Sequence, residues 1–410
     1  MGFAEAFLGQ LGKQPTAIFL TQGSESISFS EAFDKVKSLG PEEAIELALK
    51  SNTVTSVFAW LSTELMRESD QSESPVDFVK TSGSTGNPKE FYISLESQLV
   101  TARAINDSIL NNEPLDEVIV LPITHSSARG RLRAAILRGS TIHLASNPFS
   151  FRSLDTDNLQ TTQFAMAITP TTFRYLEQRL GGEFWSFFRG LKNLEFGSAE
   201  LRESEQGKLL EDSPEDLEIK MHYGLSEASR SFIRNVRKTS WNSLGTPMPH
   251  TLYRISNEGQ MLISGKHIAS QEIKPEGRVE VHEIETGDLC AISHSGEVLL
   301  VGRLKNTINC GGYTIHIEQL ESLLAQDIAL AAIAIGKAKD SLLGEVPVIF
   351  VPIGLTRNAM EAWDELEIAS KGLMQPIVCE TSEIPSLPSG KIDRQTLNDL
   401  ASNHYSKLGK

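Results

Sequence analysis

The stretch that decides the fold is Thr81–Lys89, TSGSTGNPK, which directly follows the strand-like run PVDFVK at residues 75–80. Two glycines, four hydroxyl side chains and a lysine fall within these nine positions. Successive backbone N–H groups in such a turn form a concave anion site, and the hydroxyl and ammonium groups add further donors. Gly83 and Gly86 permit a close approach that a Cβ atom would block. The stretch therefore predicts a phosphate-binding loop.

Two other interpretations of this loop were weighed. In a P-loop, the second glycine is followed by Lys and then Ser or Thr at the start of a helix, whereas Gly86 is followed by NPKE. That class of nucleotide site is therefore excluded. A solvated hairpin tip is the other alternative, and the loop alone does not decide against it.

The bulk composition narrows the functional classes. A chain of 410 residues exceeds one typical core, so two or more domains are expected. A net charge of −15 argues against a general affinity for nucleic acid or an anionic membrane. The three cysteines are few and widely spaced, which favours a reducing compartment over a disulfide or zinc framework. With no signal peptide and no apolar run of membrane-spanning length, we expect a cytoplasmic protein that takes no membrane or nucleic-acid partner.

Strand-like and helix-like patterns alternate over the first half of the chain. Strand patterns cover residues 117–122, 141–144, 164–168 and 191–196, and helical spacing covers 95–111, 128–138 and 171–180. Such alternation predicts an α/β (mixed α+β) fold with layered parallel sheets.

The pattern of predicted elements changes in the second half of the chain. Residues 242–302 carry a pattern of short strands and turns, which predicts a β-rich section. Beyond it, the pattern predicts helices at 317–325 and 359–373 and strands at 328–335 and 346–351. We therefore predict a large N-terminal domain over residues 1–303 and a small, mobile α+β domain over residues 304–410.

A second chemistry-bearing segment is HYGLSE at residues 222–227. Tyr223 can stack on a base, Ser226 can bond a phosphate, and Glu227 can bind Mg²⁺, which prefers oxygen ligands. The alternative is a strand end whose turn leads into a helix capped by Ser226.

The remaining segments are each ambiguous when taken singly. TGD at 286–288 and VGR at 301–303 offer a carboxylate for ribose hydroxyls and an arginine, or else a β-turn and a surface ion pair. NTINCGGY at 306–313 predicts either a close approach by a ligand or an ordinary hairpin. PSGKIDR at 388–394 places Lys391 on a glycine-led loop, where a lysine can reach a developing charge or stay solvated. His125, with no local triad signature around it, is more typical of a turn histidine than of a catalyst.

In their order along the chain, these segments resemble those of the adenylate-forming superfamily, which includes acyl- and aryl-CoA synthetases, adenylation domains and luciferases. The colinear matches extend from residue 81 to residue 394 and include the histidine segment LPITH at 121–125. The resemblance implies a two-step reaction. A carboxylate attacks the α-phosphate of MgATP to give an acyl-adenylate and pyrophosphate, and the thiol of CoA or of a phosphopantetheine carrier then displaces AMP.

The resemblance also implies roles for individual residues. The cofactor-binding positions would be Thr81, Ser82, Gly83, Ser84, Thr85, Gly86, Lys89, Gly197, Tyr223, Gly224, Ser226, Asp288, Arg303, Lys305, Asn309 and Gly312. Glu227 would bind Mg²⁺, and His125 would stand beside the substrate carboxylate. Lys391 would bridge that carboxylate and the α-phosphate, and the small domain would turn about Lys305 between the two steps.

Two departures from the superfamily's pattern matter. The phosphate loop begins 81 residues into the chain, where about twice that length is usual, although ISFSEAF at 27–33 resembles the start of the usual N-terminal subdomain. In the stretch GSA at 197–199, Ser198 replaces a glycine of the usual Gly-Gly-Ala.

The leading hypothesis is a carboxylic acid ligase acting on a small acid, with CoA or an acyl carrier protein as acceptor. Short members of the superfamily include o-succinylbenzoate–CoA ligases, so a role of that kind is one candidate. A nucleotide-binding regulator or non-catalytic homologue is the alternative from another class.

Overall fold

A computed structural model of the protein describes residues 3–14, 16–22, 25–40, 43–44, 53–70, 78–81, 89–145, 162–198, 201, 203–310, 313–325, 332–366, 376–386 and 392–408. The chain divides into two compact units. The first comprises Met1–Glu200, Leu210–Arg254 and Leu262–Thr286, and the second comprises Leu201–Leu209, Ile255–Met261 and Gly287–Lys410. The division at residue 303 stays a prediction.

The helices, in chain order, are α1 (Phe3–Lys13), α2 (Phe29–Ser38), α3 (Val54–Asp70), α4 (Leu95–Ala104), α5 (Ser126–Arg138), α6 (Pro170–Leu180), α7 (Phe184–Phe187), α8 (Glu203–Asp212), α9 (Ile317–Leu324), α10 (Thr356–Asp364) and α11 (Arg394–Lys407). The strands are β1 (Ile18–Gln22), β2 (Glu25–Ser28), β3 (Phe78–Thr81), β4 (Lys89–Tyr92), β5 (Asp116–Ile119), β6 (Ile142–Leu144), β7 (Phe164–Ile168), β8 (Leu191–Phe196), β9 (Glu218–Leu225), β10 (Ser229–Asn235), β11 (Thr246–Pro247), β12 (Thr251–Ile255), β13 (Gln260–Gly265), β14 (Gln271–Lys274), β15 (Gly277–Glu280), β16 (Ile284–Ile292), β17 (Val298–Arg303), β18 (Thr307–Cys310), β19 (Tyr313–His316), β20 (Ala334–Asp340), β21 (Gly344–Pro352) and β22 (Ile377–Thr381). None of the described helices has the length and apolar content needed to cross a bilayer.

The largest sheet has nine strands in the order β11-β10-β9-β8-β7-β5-β6-β1-β2. Its central run from β9 to β1 is parallel, and the outer pairs are antiparallel. Strands β7 and β8 are almost entirely buried, which agrees with a parallel sheet covered on both faces. The sequence of β7 is continuously apolar, whereas β8 carries Lys192, Asn193 and Glu195. The predicted α/β fold is thereby confirmed.

Three smaller sheets complete the fold. Their strand orders are β15-β14-β4-β3, β12-β13-β16-β17 and β19-β18-β21-β20, and β22 pairs in parallel with β21 in the last of them. The core of this last sheet contains Ile308, Val348, Phe350 and the fully buried Trp363 of α10.

Local sequence explains where several helices begin and end. Ser28 and Glu31 form a capping box at the start of α2, with each side chain bonded to the other residue's backbone N–H. Thr169 caps α6, whose first residue is Pro170. α5 ends at Arg138 and is capped by Gly139, which has a φ of +75° as expected for a left-handed cap.

The predicted strands at 164–168 and 191–196 are confirmed. Two predicted elements of the second unit lie only partly within the described residues. Of the helix predicted over 359–373, α10 covers the part up to Asp364, and Leu366 N–H bonds the Trp363 carbonyl in a turn, whereas residues 367–373 lie outside the described residues. Of the strand predicted over 328–335, residues 328–331 lie outside the described residues, and the observed strand runs from Ala334 to Asp340, paired along its length with β21.

Candidate active site

Three of the predicted site segments lie at the carboxyl edge of the large sheet, at or after the ends of strands β5, β8 and β9. The chain runs from β5 to β6 on one side of β5 and then to β7 on its other side, which makes the end of β5 a topological switch point. In open α/β sheets, ligands bind outside the carboxyl ends of strands at such a point. His125 follows β5, Gly197 follows β8, and the segment from Tyr223 to Glu227 ends β9.

The two predicted glycines at this edge are required by close packing. A Cβ atom on Gly197 would overlap the His222 ring on the neighbouring strand. A Cβ atom on Gly224 would overlap the backbone carbonyl of Ser229 on β10. Ser198, next to Gly197, has a φ of +70°, in the left-handed region that favours glycine, so its backbone stores strain of about 1 kcal/mol or more.

The segment from Tyr223 to Glu227 belongs to a strand–turn–strand unit, so the helix capped by Ser226, which was the alternative, does not form. The Tyr223 ring packs edge-on against Phe232, with centroids 6.1 Å apart, and remains partly exposed. Ser226 is exposed in the turn, and the half-buried Glu227 accepts a hydrogen bond at its carbonyl from Ala269 N–H at 2.7 Å.

Glu227 is chemically suited to Mg²⁺, because its carboxylate supplies a hard oxygen donor. Within the described residues, no cluster of three or more His, Cys, Asp or Glu side chains is placed to hold a metal. Mg²⁺ is commonly held by one or two carboxylates together with substrate phosphates, so a single carboxylate fits such a site.

The two ends of the predicted phosphate loop meet across an antiparallel pair. Thr81 at the end of β3 is in register with Lys89 at the start of β4. The Lys89 ammonium is half-exposed and lies 3.7 Å from a Glu272 carboxylate oxygen. The intervening Ser82, Gly83, Ser84, Thr85 and Gly86 lie outside the described residues, as do Gly312 and Lys391.

His125 occupies the position just before α5 and reaches solvent. Partial burial and the neighbouring Arg129 guanidinium lower the pKa of His125 below its ordinary value. The ring is therefore neutral at neutral pH and could accept or donate one hydrogen bond.

A buried charged network beneath this edge was not anticipated from the sequence. Glu195 of β8 is fully buried and lies 2.6 Å from Arg230 Nε and 3.2 Å from Arg131 Nη1. Arg131 also forms a paired contact with the buried Glu117, at 2.7 and 2.9 Å. Arg230 additionally donates to the Ser127 hydroxyl at 3.1 Å. The sequence of α5 did carry a signal for this network. The helix has four arginines in ten positions, and buried arginines need acidic or hydrogen-bonding partners.

Glu195 also approaches His222, whose Nδ1 lies 2.6 Å from a Glu195 carboxylate oxygen, although the contact is poorly aligned for a hydrogen bond. Burial would raise the pKa of Glu195, but Arg230, His222 and Arg131 hold it well below its usual range. Burial and the Arg230 charge lower the pKa of His222. The pair is therefore an ionised carboxylate beside a neutral imidazole.

The predicted ribose-binding residues pair within the second unit. Asp288 and Arg303 are in register on β16 and β17, and Arg303 Nε lies 2.6 Å from Asp288 Oδ1. Lys305 is exposed in a short 3₁₀ turn after β17. Asn309 is exposed on β18, where its N–H bonds a Glu345 carboxylate oxygen at 3.0 Å.

Comparison with known proteins adds three findings. A family model described as AMP-binding enzyme matches residues 13–270. A 2-succinylbenzoate–CoA ligase of Staphylococcus epidermidis is 22% identical over 343 residues, which is 79% of this chain and 69% of that one. A ligase of the same name from Staphylococcus aureus is 24% identical, over 66% of this chain and 56% of that one, so the chain aligns with little more than half of this relative.

Among solved structures, the o-succinylbenzoate CoA synthetase of Bacillus subtilis in complex with its acyl-adenylate intermediate superposes with a TM-score of 0.75 at 16% identity. The superposition covers 96% of this chain and 98% of that one. The same Bacillus subtilis protein in complex with ATP and magnesium superposes with a TM-score of 0.74 at 15% identity, over 96% and 99% of the two chains. At this identity the likeness shows a shared fold.

Proposed function

The chain belongs to the AMP-binding enzyme family, and on that premise we propose that it is an ATP-dependent carboxylic acid ligase. The observation that carries the proposal is that His125, Gly197 and the segment from Tyr223 to Glu227 all lie at the carboxyl edge of the large sheet, which has its switch point at β5. A bound nucleotide and an acid would meet at that edge.

The reaction would begin when a carboxylate oxygen of the acid attacks the α-phosphorus of ATP. The new O–P bond gives an acyl-adenylate, and the bond to the bridging oxygen breaks to release pyrophosphate. A thiol then attacks the acyl carbon and loses its proton, while the acyl C–O bond breaks to release AMP. No protein nucleophile is needed, so catalysis would depend on positioning and on stabilising the charge that develops on the phosphoryl oxygens.

The resemblance to relatives supports a role for each site residue. Tyr223 would stack on adenine, Asp288 with Arg303 would hold the ribose, and residues 81–89 would bind the phosphates. Bound at Glu227, Mg²⁺ would supply positive charge to the phosphates. Lys391 would bridge the α-phosphate and the carboxylate, beside which His125 would stand.

CoA is the favoured acceptor, because the curated relatives are named CoA ligases and a solved neighbour is named a CoA synthetase. An acyl carrier protein bearing phosphopantetheine is the alternative acceptor. A nucleotide-binding homologue that does not catalyse is the alternative function, motivated by the partial coverage of the relatives' length.

Pyrophosphate release from MgATP tests the proposal, with a panel of aliphatic, aromatic and amino acids and with hydroxylamine present to trap the adenylate. We expect strong release with one class of acid, and the trapped hydroxamate identifies that acid. The Lys391→Ala variant should lose adenylation but still form thioester from supplied adenylate. Lys407→Ala, which alters an exposed lysine of α11, is the matched control. ATP binding without release for any acid would favour the non-catalytic alternative.

A further inference from the structure

His125 lies at the end of a segment that a buried side chain holds in place. Residues 120–125 join β5 to α5, and the buried Arg129 of α5 reaches back to this segment. Arg129 Nη1 donates to the Thr124 carbonyl at 2.9 Å and to the Ile123 carbonyl at 3.3 Å. The two residues directly before His125 are therefore bound to one buried guanidinium group.

A second buried guanidinium group holds the chain on the other side of His125. Arg230 of β10 donates to the Ser127 hydroxyl at 3.1 Å, and its own position is fixed by Glu195 at 2.6 Å. A Cβ atom on Gly130 of α5 would meet Arg230 Nη1 at 3.0 Å, so the glycine leaves room for this contact. His125 thus lies between two points of the chain, at residues 124 and 127, that buried arginines hold.

Arg129 is placed where a positive charge does not stabilise its own helix. It is the fourth residue of α5, and the N-terminal turn of a helix carries partial positive charge that repels a cation. The side chain is 6% exposed, so its hydrogen bonds must also offset the cost of removing a charge from water. Its bonds to residues 123 and 124 lie before the helix, which indicates that Arg129 stabilises the conformation of that segment.

The position of the exposed His125 ring depends on the backbone that carries it. In the described stretch around the start of α5, the His125 side chain makes no capping hydrogen bond to the helix. The His125 N–H bonds the Pro122 carbonyl at 2.9 Å, and the His125 carbonyl accepts a bond from Arg129 N–H at 3.2 Å. A shift of the backbone at residues 123 and 124 would therefore move the ring.

We propose that Arg129 is a positioning residue for the ligase reaction, which holds the Ile123 and Thr124 carbonyls and thereby fixes His125 beside the substrate carboxylate. This inference rests on the proposed function, because that function places the acid next to His125. Arg129 would act through His125 without contacting the substrates. Such positioning matters because a misplacement of about 1 Å in an active site can cost roughly 100-fold in rate.

The first test compares Arg129→Lys with Arg133→Lys, a matched change at another buried arginine of α5 that bonds Glu64. Lysine keeps the charge but lacks the planar guanidinium group. Pyrophosphate release is measured with each acid of the panel. We expect Arg129→Lys to lower kcat/KM for the acid by about 10- to 100-fold and to leave the KM for ATP unchanged. Arg133→Lys should keep both constants. Wild-type constants in Arg129→Lys, or an equal loss in Arg133→Lys, would overturn the proposal.

A double-mutant cycle separates positioning from a general structural role. In a His125→Ala background, Arg129→Lys should lower kcat/KM by less than about twofold, because the ring that it positions is gone. A purely structural contribution would lower activity by the same factor in both backgrounds. That additive result would contradict the assignment.

The His125 ring of the free protein provides a measurement that does not depend on catalysis. In NMR spectra of protein labelled at histidine, the His125 signals are identified by their loss in His125→Ala. These signals should shift or broaden in Arg129→Lys and stay unchanged in Arg133→Lys. Unchanged His125 signals in both variants would overturn the positioning role. Absence of pyrophosphate release in the wild type would instead count against the proposed ligase.

Discussion

Asp288 and Arg303 face each other across two antiparallel strands, with Arg303 Nε 2.6 Å from Asp288 Oδ1. The carboxylate is almost fully buried, while the arginine side chain is 41% exposed. The arginine thus holds a carboxylate in one orientation, and the resemblance to the superfamily implies that this carboxylate holds the ribose hydroxyls with Arg303 nearby.

Asp288→Asn should weaken ATP binding by roughly 10- to 100-fold, because charge-assisted hydrogen bonds to the ribose hydroxyls would be lost. Stability should change little, since the released Arg303 side chain can turn to solvent. Titration calorimetry with ATP measures the effect. Asp216→Asn, at an exposed carboxylate paired with Lys192, should leave ATP affinity unchanged. Equal ATP affinities for wild type and Asp288→Asn would remove Asp288 from the nucleotide site.

Gly197→Ala should abolish most pyrophosphate release and lower the free energy of unfolding by about 1–3 kcal/mol, because the added methyl group overlaps the His222 ring. Urea denaturation and the pyrophosphate assay measure the two effects. Gly207→Ala is the matched control in α8, where an added Cβ atom meets nothing within 4 Å. That control should stabilise the protein by up to about 1 kcal/mol, since alanine is the better helix former. An unchanged Gly197→Ala variant would mean that the ring moves aside freely.

Arg131→Met should lower the free energy of unfolding by about 3 kcal/mol or more, because two buried carboxylates, Glu117 and Glu195, lose a positive partner. Arg254→Met removes the arginine of an exposed pair with Glu283 and should cost less than about 1 kcal/mol. Urea midpoints of both variants, compared at equal m-values, measure the difference. Similar losses in the two variants would show that Arg138 and Arg230 compensate fully for the missing charge.

Stability should fall as pH decreases below neutrality, in part through His267. Burial and the His250 ring, 4.3 Å away, lower the pKa of His267 to about 3. Below pH 6.5 the His267 imidazole binds a proton in the unfolded state but stays neutral in the folded state. The stability that the neutral ring contributes is therefore fully present above pH 6.5 and is lost as the pH falls toward 3.

His267→Gln should reduce the pH dependence of stability by up to about 1.4 kcal/mol per pH unit in that window, while keeping a group that can bond the Ser231 hydroxyl. Urea denaturation between pH 7.5 and about pH 5 gives the slope. His294→Gln, at an exposed histidine, should keep the wild-type slope. Equal slopes of the unfolding free energy against pH for wild type and His267→Gln would show that His267 is protonated in the folded state as readily as in the unfolded state.

Contiguous segments were the part of the site that sequence could predict. An apolar run identified β7, because a strand buried on both faces is a continuous hydrophobic stretch. Gly197 and Gly224 were selected by their neighbours in sequence, and the structure supplies the packing that requires them.

The sequence by itself determined the order of the glycine-, hydroxyl- and lysine-bearing segments, and with it the family, because each segment's turn chemistry lies within a few adjacent residues. Only the tertiary structure decided that Glu195 meets Arg131, 64 positions away, and Arg230, 35 positions away. Those contacts depend on the register of β8 against β9 and on the packing of α5 over the sheet. The physical reason is that ion pairing inside a core depends on the distances that folding creates, and separation along the chain does not encode them.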